Sequence, residues 1–370
     1  MITNSKLYKI KEVSAIDSPA LLVFPEIVEK NIDNALHMVS SSKNTFLRPH
    51  IKTVKCIEVV RMALSKGVDR FKCSTIAEAE LLGLAGAKDV LLSYQLSKTK
   101  ANRFSALRQK FPETNFSALV DNSVSAKMLS NFFEKEPLTV FIDVNVGMDR
   151  TGIKTNEAFE LIKEIDKFQG IQIKGLHIYD GHVHASQIEV RKSQTDAIFN
   201  DVSELRKNTE KQINRKLTMV IGGSPSFPFY AKQEEVECSP GTFFFWDAGY
   251  GSSFAEMPFT PAATILTRVI SIINKTTMCF DLGTKATASD PPLPRVEILN
   301  LENGVVVNQF EEHLIVRVPD TSIYQIGEPF LAIPYHICPT VNLYEELVVI
   351  KDNIVSNNWE VLARNRKITI

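Results

Sequence analysis

Between Ser18 and Ile221, short apolar runs alternate with stretches of helical periodicity, and this alternation restricts the fold more than any other feature of the chain. The runs are Ser18–Phe24, Thr45–Leu47, Phe71–Cys73, Val90–Tyr94, Phe116–Val120, Leu138–Val144, Ile171–Tyr179 and Leu217–Ile221. Pro25 opens a helical pattern with Val28, Ile32, Ala35, Leu36 and Val39 on one face. Another runs from Val54 through Ile57, Val60, Met62 and Leu64 and stops near Gly67. Thr75 and Glu78 form a capping box for a helix ending near Gly86. Further helical patterns lie near 99–110, 123–135, 156–168 and 187–210. A strand every roughly 22–30 residues, with a helix between, predicts parallel βα units, and eight of them fit a (β/α)8 TIM barrel of the α/β class. An open doubly wound sheet is the structural alternative.

Beyond about residue 240 the texture changes. Phe243–Trp246, Ala263–Ile273, Val296–Leu299, Val305–Val307 and Leu314–Val318 are strand-like, separated by turn signals such as Asn303-Gly304 and Pro291-Pro292. The 370 residues suit two domains, so residues 20–240 are expected to form the barrel and 241–370 a β-rich C-terminal domain. A formal net charge of −1 without a basic stripe gives no signal for nucleic acid. No signal-peptide core follows Met1–Lys6 and no apolar run reaches about 18 residues, so the expectation is a cytoplasmic protein with no membrane segment. The five cysteines are odd in number, widely spaced and lack a Cys-x-x-Cys pair, which predicts reduced thiols.

Four stretches carry candidate chemistry. In Leu47–Lys55, Pro49 cannot donate to a sheet ladder, so the strand is expected to end there and Lys52 to lie in a strand-to-helix loop. A lysine so placed forms a Schiff base with a carbonyl cofactor when nearby cations or burial lower its pKa, and Arg48, His50 and Lys55 are near in sequence. A solvated basic loop is the simpler reading of these residues alone. Gly222-Gly223-Ser224 directly follows the last apolar strand, where barrels commonly bind phosphate. Gly175–His184 gathers three of the seven histidines at one strand end, suited to acid–base chemistry or metal ligation. Last, His336-Ile337-Cys338, read as extended, puts imidazole and thiol on one face, which suits a divalent metal.

The octapeptide Arg48-Pro49-His50-Ile51-Lys52-Thr53-Val54-Lys55 resembles the Arg-Pro-His-x-Lys-Thr-x-Lys signature of the D-threonine aldolase and D-serine dehydratase family. Its members are fold-type III pyridoxal phosphate (PLP) enzymes related to alanine racemase, and further matches run nearly to the end of the chain. The resemblance favours the barrel, assigns residues 1–19 to the second domain, and implies that Lys52 carries PLP. Asp143–Gly152 resembles the family stretch whose arginine contacts the phenolic oxygen of PLP, which falls on Arg150. Gln95 matches a glutamine near the cofactor. Gly222, Gly223 and Ser224, with Gly241 and Thr242 of the second glycine-containing stretch, would cradle the phosphate. Tyr179–His182 matches Tyr-x-Gly-His, placing Tyr179 against the cofactor and His182 on the substrate side. The family binds a divalent metal, zinc or manganese, beside PLP at the position of His336 and Cys338.

What the resemblance implies is a lyase acting on β-hydroxy-D-amino acids as a homodimer. The His182-Val183-His184 and Thr340–Tyr344 contexts point to D-threonine aldolase, giving glycine and an aldehyde. Cys338 points instead to D-serine dehydratase, giving pyruvate and ammonia. An amino-acid racemase, or a non-catalytic PLP carrier, are the further alternatives. One departure stands out. Relatives carry tyrosine after the Gly-Thr pair, whereas this chain has Phe243, Phe244, Phe245 and Trp246, with no hydroxyl to meet the pyridine nitrogen.

Overall fold

The computed structural model describes residues 7–370 and divides into two compact units. One contains Ala35–Lys52, Val60–Gly241 and Asn365–Ile370; the other contains the described residues up to Asn34, Thr53–Val59 and Thr242–Arg364. Of the N-terminal segment expected to join the β-rich part, residues 1–6 lie outside the described residues.

The first unit is a parallel barrel. Its strands are β1 (Phe46–Leu47), β2 (Arg70–Cys73), β3 (Asp89–Gln95), β4 (Asn115–Val120), β5 (Leu138–Asn145), β6 (Ile171–Ile178), β7 (Thr218–Ile221) and β8 (Glu237–Cys238). They pair in sequence order, with β8 returning to β1. A single parallel bridge between His50 and Lys72 joins the run beyond β1 to β2 and closes the ring. The Thr75 cap forms as expected: its hydroxyl accepts the Glu78 N–H at 3.0 Å, while Glu78 reaches back to the N–H of Ser74 at 2.7 Å.

One barrel-strand expectation changes. Ala20–Val23 does not open the barrel; it pairs antiparallel with Ala263–Asn274 and parallel with Glu346–Lys351 in the sheet of the other unit. The eighth barrel place belongs to Glu237–Cys238. A four-residue apolar run does not encode which sheet it joins, and a two-residue strand is too short to leave a periodicity. The strand ends ahead of Pro49, as expected, although backbone bonding runs on past it. Phe46, Arg48 and His50 donate their N–H groups toward β8, to Val236, Cys238 and Pro240 at 3.0, 2.8 and 2.9 Å. The intervening Pro49 faces β2, where only its carbonyl is used, accepting from Lys72 N at 2.9 Å. Its missing N–H thus falls on the side of the seam that makes least use of it.

Register stacks the inward-facing positions into layers. Toward the starts of the strands, buried Arg48 bonds Glu237 at 2.5 Å and Asp89 at 2.7 Å. Lys174 completes the shell of Asp89, and Arg70 that of Glu237. Above lies an apolar layer of Leu91, Leu119, Phe141 and Val220. A polar layer follows at the strand ends.

In the second unit, Val305–Gln309, Leu314–Arg317, Thr277–Phe280, Ala263–Asn274, Ala20–Val23, Glu346–Lys351 and Ile354–Glu360 are neighbours in that order. Pro329–Pro334 joins Ala263–Asn274 and carries Val296–Ile298. Tyr8, Ile16, Leu22, Phe24, Leu266 and Ile333 share a core cluster. Phe243–Trp246 is not a strand. Thr242–Phe244 forms a 3-10 turn, and the four aromatics are fully buried, with the Phe243 and Phe244 rings stacked at 4.2 Å. Bulk apolar demand in this core, rather than ladder geometry, explains the aromatic run. Among the described residues no helix is long and apolar enough to cross a membrane.

Arg48→Met leaves two largely buried carboxylates without their shared cation. Its expected cost is about 3–5 kcal/mol, the usual penalty for breaking a buried pair from one side, and urea unfolding midpoints measure it.

Candidate active site

The C-terminal ends of the barrel strands gather the polar residues. Beyond β1 the chain makes one 3-10 turn, Ile51–Thr53, in which the Lys52 N–H bonds His50 Nδ1 at 3.1 Å before the helix Ile57–Ser65 begins. This turn lifts Lys52 onto the mouth. At its centre is the Tyr179 ring: the Arg150 guanidinium is 4.8 Å from the ring centroid, and the Lys52 and Lys72 amines are each 5.7 Å from it. All three lie within reach of the ring's negative face. A Cβ on Gly181 would stand 2.6 Å from a Tyr179 ring carbon, and one on Gly223 would stand 3.2 Å away. Both positions therefore keep room for the ring.

Beneath Tyr179 runs a hydrogen-bonded chain. Lys72 Nζ is 3.5 Å from His177 Nε2, at the outer limit of a hydrogen bond, and His177 Nδ1 is 2.8 Å from Asp143 Oδ1. Asp143 Oδ2 accepts from Thr151 at 2.8 Å and from Gln95 Nε2 at 2.9 Å, and the same amide donates to Asp121 at 2.8 Å. Burial pushes the Asp143 carboxyl up, but His177, Thr151 and Gln95 outweigh it and hold the group below its ordinary value. Burial lowers His177, with Asp143 opposing. An ionised Asp143 makes Nδ1 the donor and leaves Nε2 as an acceptor facing Lys72. Burial, then the charge of Lys52, bring the Lys72 amine down to about 7 against Asp180 and Asp143.

The glycine loops close one side of the mouth. Gly222 has φ +84°, and a Cβ there would meet the Tyr230 ring at 2.6 Å. A Cβ on Gly241 would stand 2.7 Å from the His50 carbonyl. Gly222 N–H bonds Ile178 O, Gly223 N–H bonds Ser226 Oγ and Gly241 N–H bonds Ser224 Oγ, so the loops are tied down. Ser226 in turn donates to Asp180, a carboxyl raised by burial. His182 lies over Gly147, whose Cβ would be 3.2 Å from its Nε2, and its buried Nδ1 has no hydrogen-bond partner among the described residues. His184 is exposed. A cavity of about 750 Å³ also opens at the opposite mouth of the barrel, lined by residues such as Arg108, Lys174 and Thr218, and it touches none of these groups.

Thr242, His336 and Cys338 belong to the second unit. The extended reading of His336–Cys338 fails, because Ile337–Val341 is a short helix with His336 at its N-cap. Pro339 is tolerated in that first turn, where its missing N–H has no helical partner in any case. Asp247, raised by burial to about 6, accepts the Ile337 N–H at 3.1 Å. His336 and Cys338 nevertheless meet. Burial alone would lower the imidazole, but hydrogen bonds and charge from Cys338 and Asp290 lift it to about 9. Asp290 Oδ2 is 2.6 Å from His336 Nδ1, while Cys338 Sγ is 3.0 Å from Thr53 Oγ1 and 3.7 Å from Thr242 Oγ1. Among the described residues no three or more His, Cys, Asp or Glu side chains gather as a metal cage.

The model for "Alanine racemase, N-terminal domain" matches residues 26–248, and the serine dehydratase domain model matches 262–350. The chain belongs to the alanine racemase N-terminal domain family. It is 26% identical to D-threonine aldolase from Arthrobacter sp over 364 residues, covering 95% of this chain and 94% of that one. It is likewise 26% identical to 3-hydroxy-D-aspartate aldolase from Paracoccus denitrificans (strain Pd 1222), covering 95% and 93%. The solved structure of D-threonine aldolase from Filomicrobium marinum superposes with a TM-score of 0.86 at 23% identity, covering 95% and 96%.

In this alanine racemase-family barrel the residues present fit PLP. An amine and a guanidinium flank an aromatic ring, beside loops in which Gly222 and Gly241 let the backbone pack directly against the Tyr230 ring and the His50 carbonyl. An imidazole and a thiol in contact, the imidazole oriented by a carboxylate, likewise fit a borderline-soft divalent metal. Asp143, His177 and Asp180 lie within stretches that the sequence singles out, without an individual role, whereas Lys72 and Asp121 lie outside them. The available signal for Lys72 is a lone lysine within the apolar run Phe71–Cys73, at the strand end where barrels place chemistry.

Unfolding returns Lys72 to an ordinary lysine. Between about pH 7 and 10.5 the unfolded chain therefore holds the extra proton, and stability rises with pH through that window. Lys72→Met does not titrate. It should exceed wild type in stability at pH 7 and lose that advantage as pH climbs toward 10.5, as read from urea midpoints across the range.

Proposed function

We propose that this protein is a PLP-dependent lyase that cleaves β-hydroxy-D-amino acids between Cα and Cβ, turning a D-threonine-like substrate into glycine and an aldehyde. A PLP enzyme of the lyase class acting on β-hydroxy-D-amino acids is what the family and its aldolase relatives support. The observation that carries the reading is the Tyr179 ring with Lys52 and Arg150 around it, beside the glycine loops.

Each residue has a task. Lys52 anchors the cofactor aldehyde and holds the proton exchanged at the substrate Cα. Tyr179 would back the cofactor ring, Arg150 would face its phenolic oxygen, and the loops at Gly222–Ser224 and Gly241, whose glycine N–H groups are held by Ile178, Ser226 and Ser224, would border its phosphate. His182, with a ring nitrogen lacking a protein partner, takes the β-hydroxyl proton as the substrate C–O bond becomes a carbonyl. Bound PLP supplies the electron sink for the pair left at Cα. His336 and Cys338 would hold a divalent metal, whose chemistry is Lewis-acid polarisation of an oxygen.

D-Serine dehydratase activity is the second reading, favoured by Cys338 and by the serine dehydratase domain match over 262–350. The two separate in one assay. Protein purified with PLP should absorb in the visible, and Lys52→Ala should lose both that band and all turnover. Wild type should release glycine and acetaldehyde from D-threonine, with the rate suppressed by a chelator, and His182→Asn should slow it by about 100-fold or more. Pyruvate and ammonia from D-serine, without cleavage of D-threonine, would establish the dehydratase instead.

A further inference from the structure

Lys72 is fully buried, 2% exposed, yet its close polar contact is an imidazole rather than a carboxylate. Other lysines that reach into this unit do otherwise: Lys174 rests on Asp89 and Lys110 on Glu80, each with its chain partly in solvent. A buried amine without a carboxylate against it is expensive to maintain as a structural element. Its location is also specific. The Lys72 backbone is tied to the Lys52 loop through the Pro49 carbonyl and the His50 bridge, and the two amines stand equally far from the Tyr179 ring centre.

We propose that Lys72 is a proton-exchange residue of this active site, a second amine beside Lys52 that gives and takes a proton against the His177–Asp143 pair. The inference rests on the functional reading above. The charged and titratable groups around it are Lys52 and Arg48 from the β1 side, Asp143 from β5, and His177 and Asp180 from β6 and its loop. Burial and the two cations favour the neutral amine, the two carboxylates favour the ammonium, and the balance falls near neutrality, where a general acid–base group works best. Behind Lys72 the run His177–Asp143–Gln95–Asp121 crosses the barrel mouth. An ionised Asp143 stabilises a proton arriving on His177, so a proton leaving Lys72 Nζ for His177 Nε2 has a place to rest. No bond other than N–H is made or broken in that transfer.

The decisive variant is Lys72→Arg, which keeps a cation and a donor toward His177 but does not release its proton. If Lys72 only positions His177, Lys72→Arg retains the wild-type rate. If it exchanges protons, Lys72→Arg and Lys72→Met both fall by about 100-fold or more. Added alkylamines then restore part of the rate to Lys72→Ala, in proportion to their basicity. An independent readout uses wild-type protein free of cofactor. NMR of isotope-labelled lysine side chains, assigned with Lys72→Met, should show one amine titrating near neutral pH. A fully active Lys72→Arg, or a Lys72 resonance that titrates like an exposed lysine, would overturn the proposal. A wild-type protein that takes up no PLP would instead overturn the functional reading, and the NMR titration still decides the state of Lys72.

Discussion

The hydrogen bond from the Lys72 amide to the Pro49 carbonyl is the constraint on which the barrel and its mouth both depend. Seven of the eight strand pairings are made by assigned strands; this seam has one bridge and one close bond. A proline occupies it without loss, because alternation along β1 sends the N–H groups of Phe46, Arg48 and His50 toward β8 and asks only a carbonyl of residue 49. Rigid φ at Pro49 then delivers the chain into the turn that carries Lys52. The same bond fixes the strand from which Lys72 extends. Two lysines, 20 residues apart in sequence, are thereby set beside one aromatic ring.

Charge is sorted along the barrel axis. At the strand starts, cations and anions are matched directly, Arg48 and Arg70 with Glu237, and Arg48 and Lys174 with Asp89. Such a layer holds geometry but leaves no group free to change state. At the strand ends the pairing is indirect: Lys72 meets His177, His177 meets Asp143, and Asp143 shares the Gln95 amide with Asp121. The apolar layer of Leu91, Leu119, Phe141 and Val220 separates the two, so the lower network does not neutralise the upper one through close contact. A low-dielectric floor strengthens every interaction above it.

Much of this was legible in the sequence, and the failures have physical causes. Long elements are legible nearly residue for residue, as in Lys98–Lys110, Leu138–Asn145 and Ile188–Ile213. Ala20–Val23 reads as a buried strand but does not reveal its sheet, since pairing partners about 240 residues away leave no trace in a four-residue pattern. Glu237–Cys238 was invisible because strands of two residues have no period. Lys52, Arg150, Tyr179 and the glycine loops came from a motif resemblance, and the structure brings them to one mouth. Cys338 and His336 meet too, but through a helix cap rather than along a strand, because Pro339 starts a turn as readily as it ends a ladder.

Lys72 shows why local reading passes over such a residue. Within Phe71-Lys72-Cys73 a lysine resembles a solvated strand position, its chain reaching outward between two apolar neighbours. Whether it points in or out is decided by register, and register here is set by pairing with Leu91, in turn paired with Ser117. Those partners face inward with Leu119 and Phe141, so Lys72 does as well. Once inside, its amine has no route to solvent at the strand start, where the ion layer already occupies the floor. It extends instead to the strand end, toward His177 and the Tyr179 ring. A residue whose sequence context argues for the surface is thus carried by barrel closure into the place where proton chemistry is done.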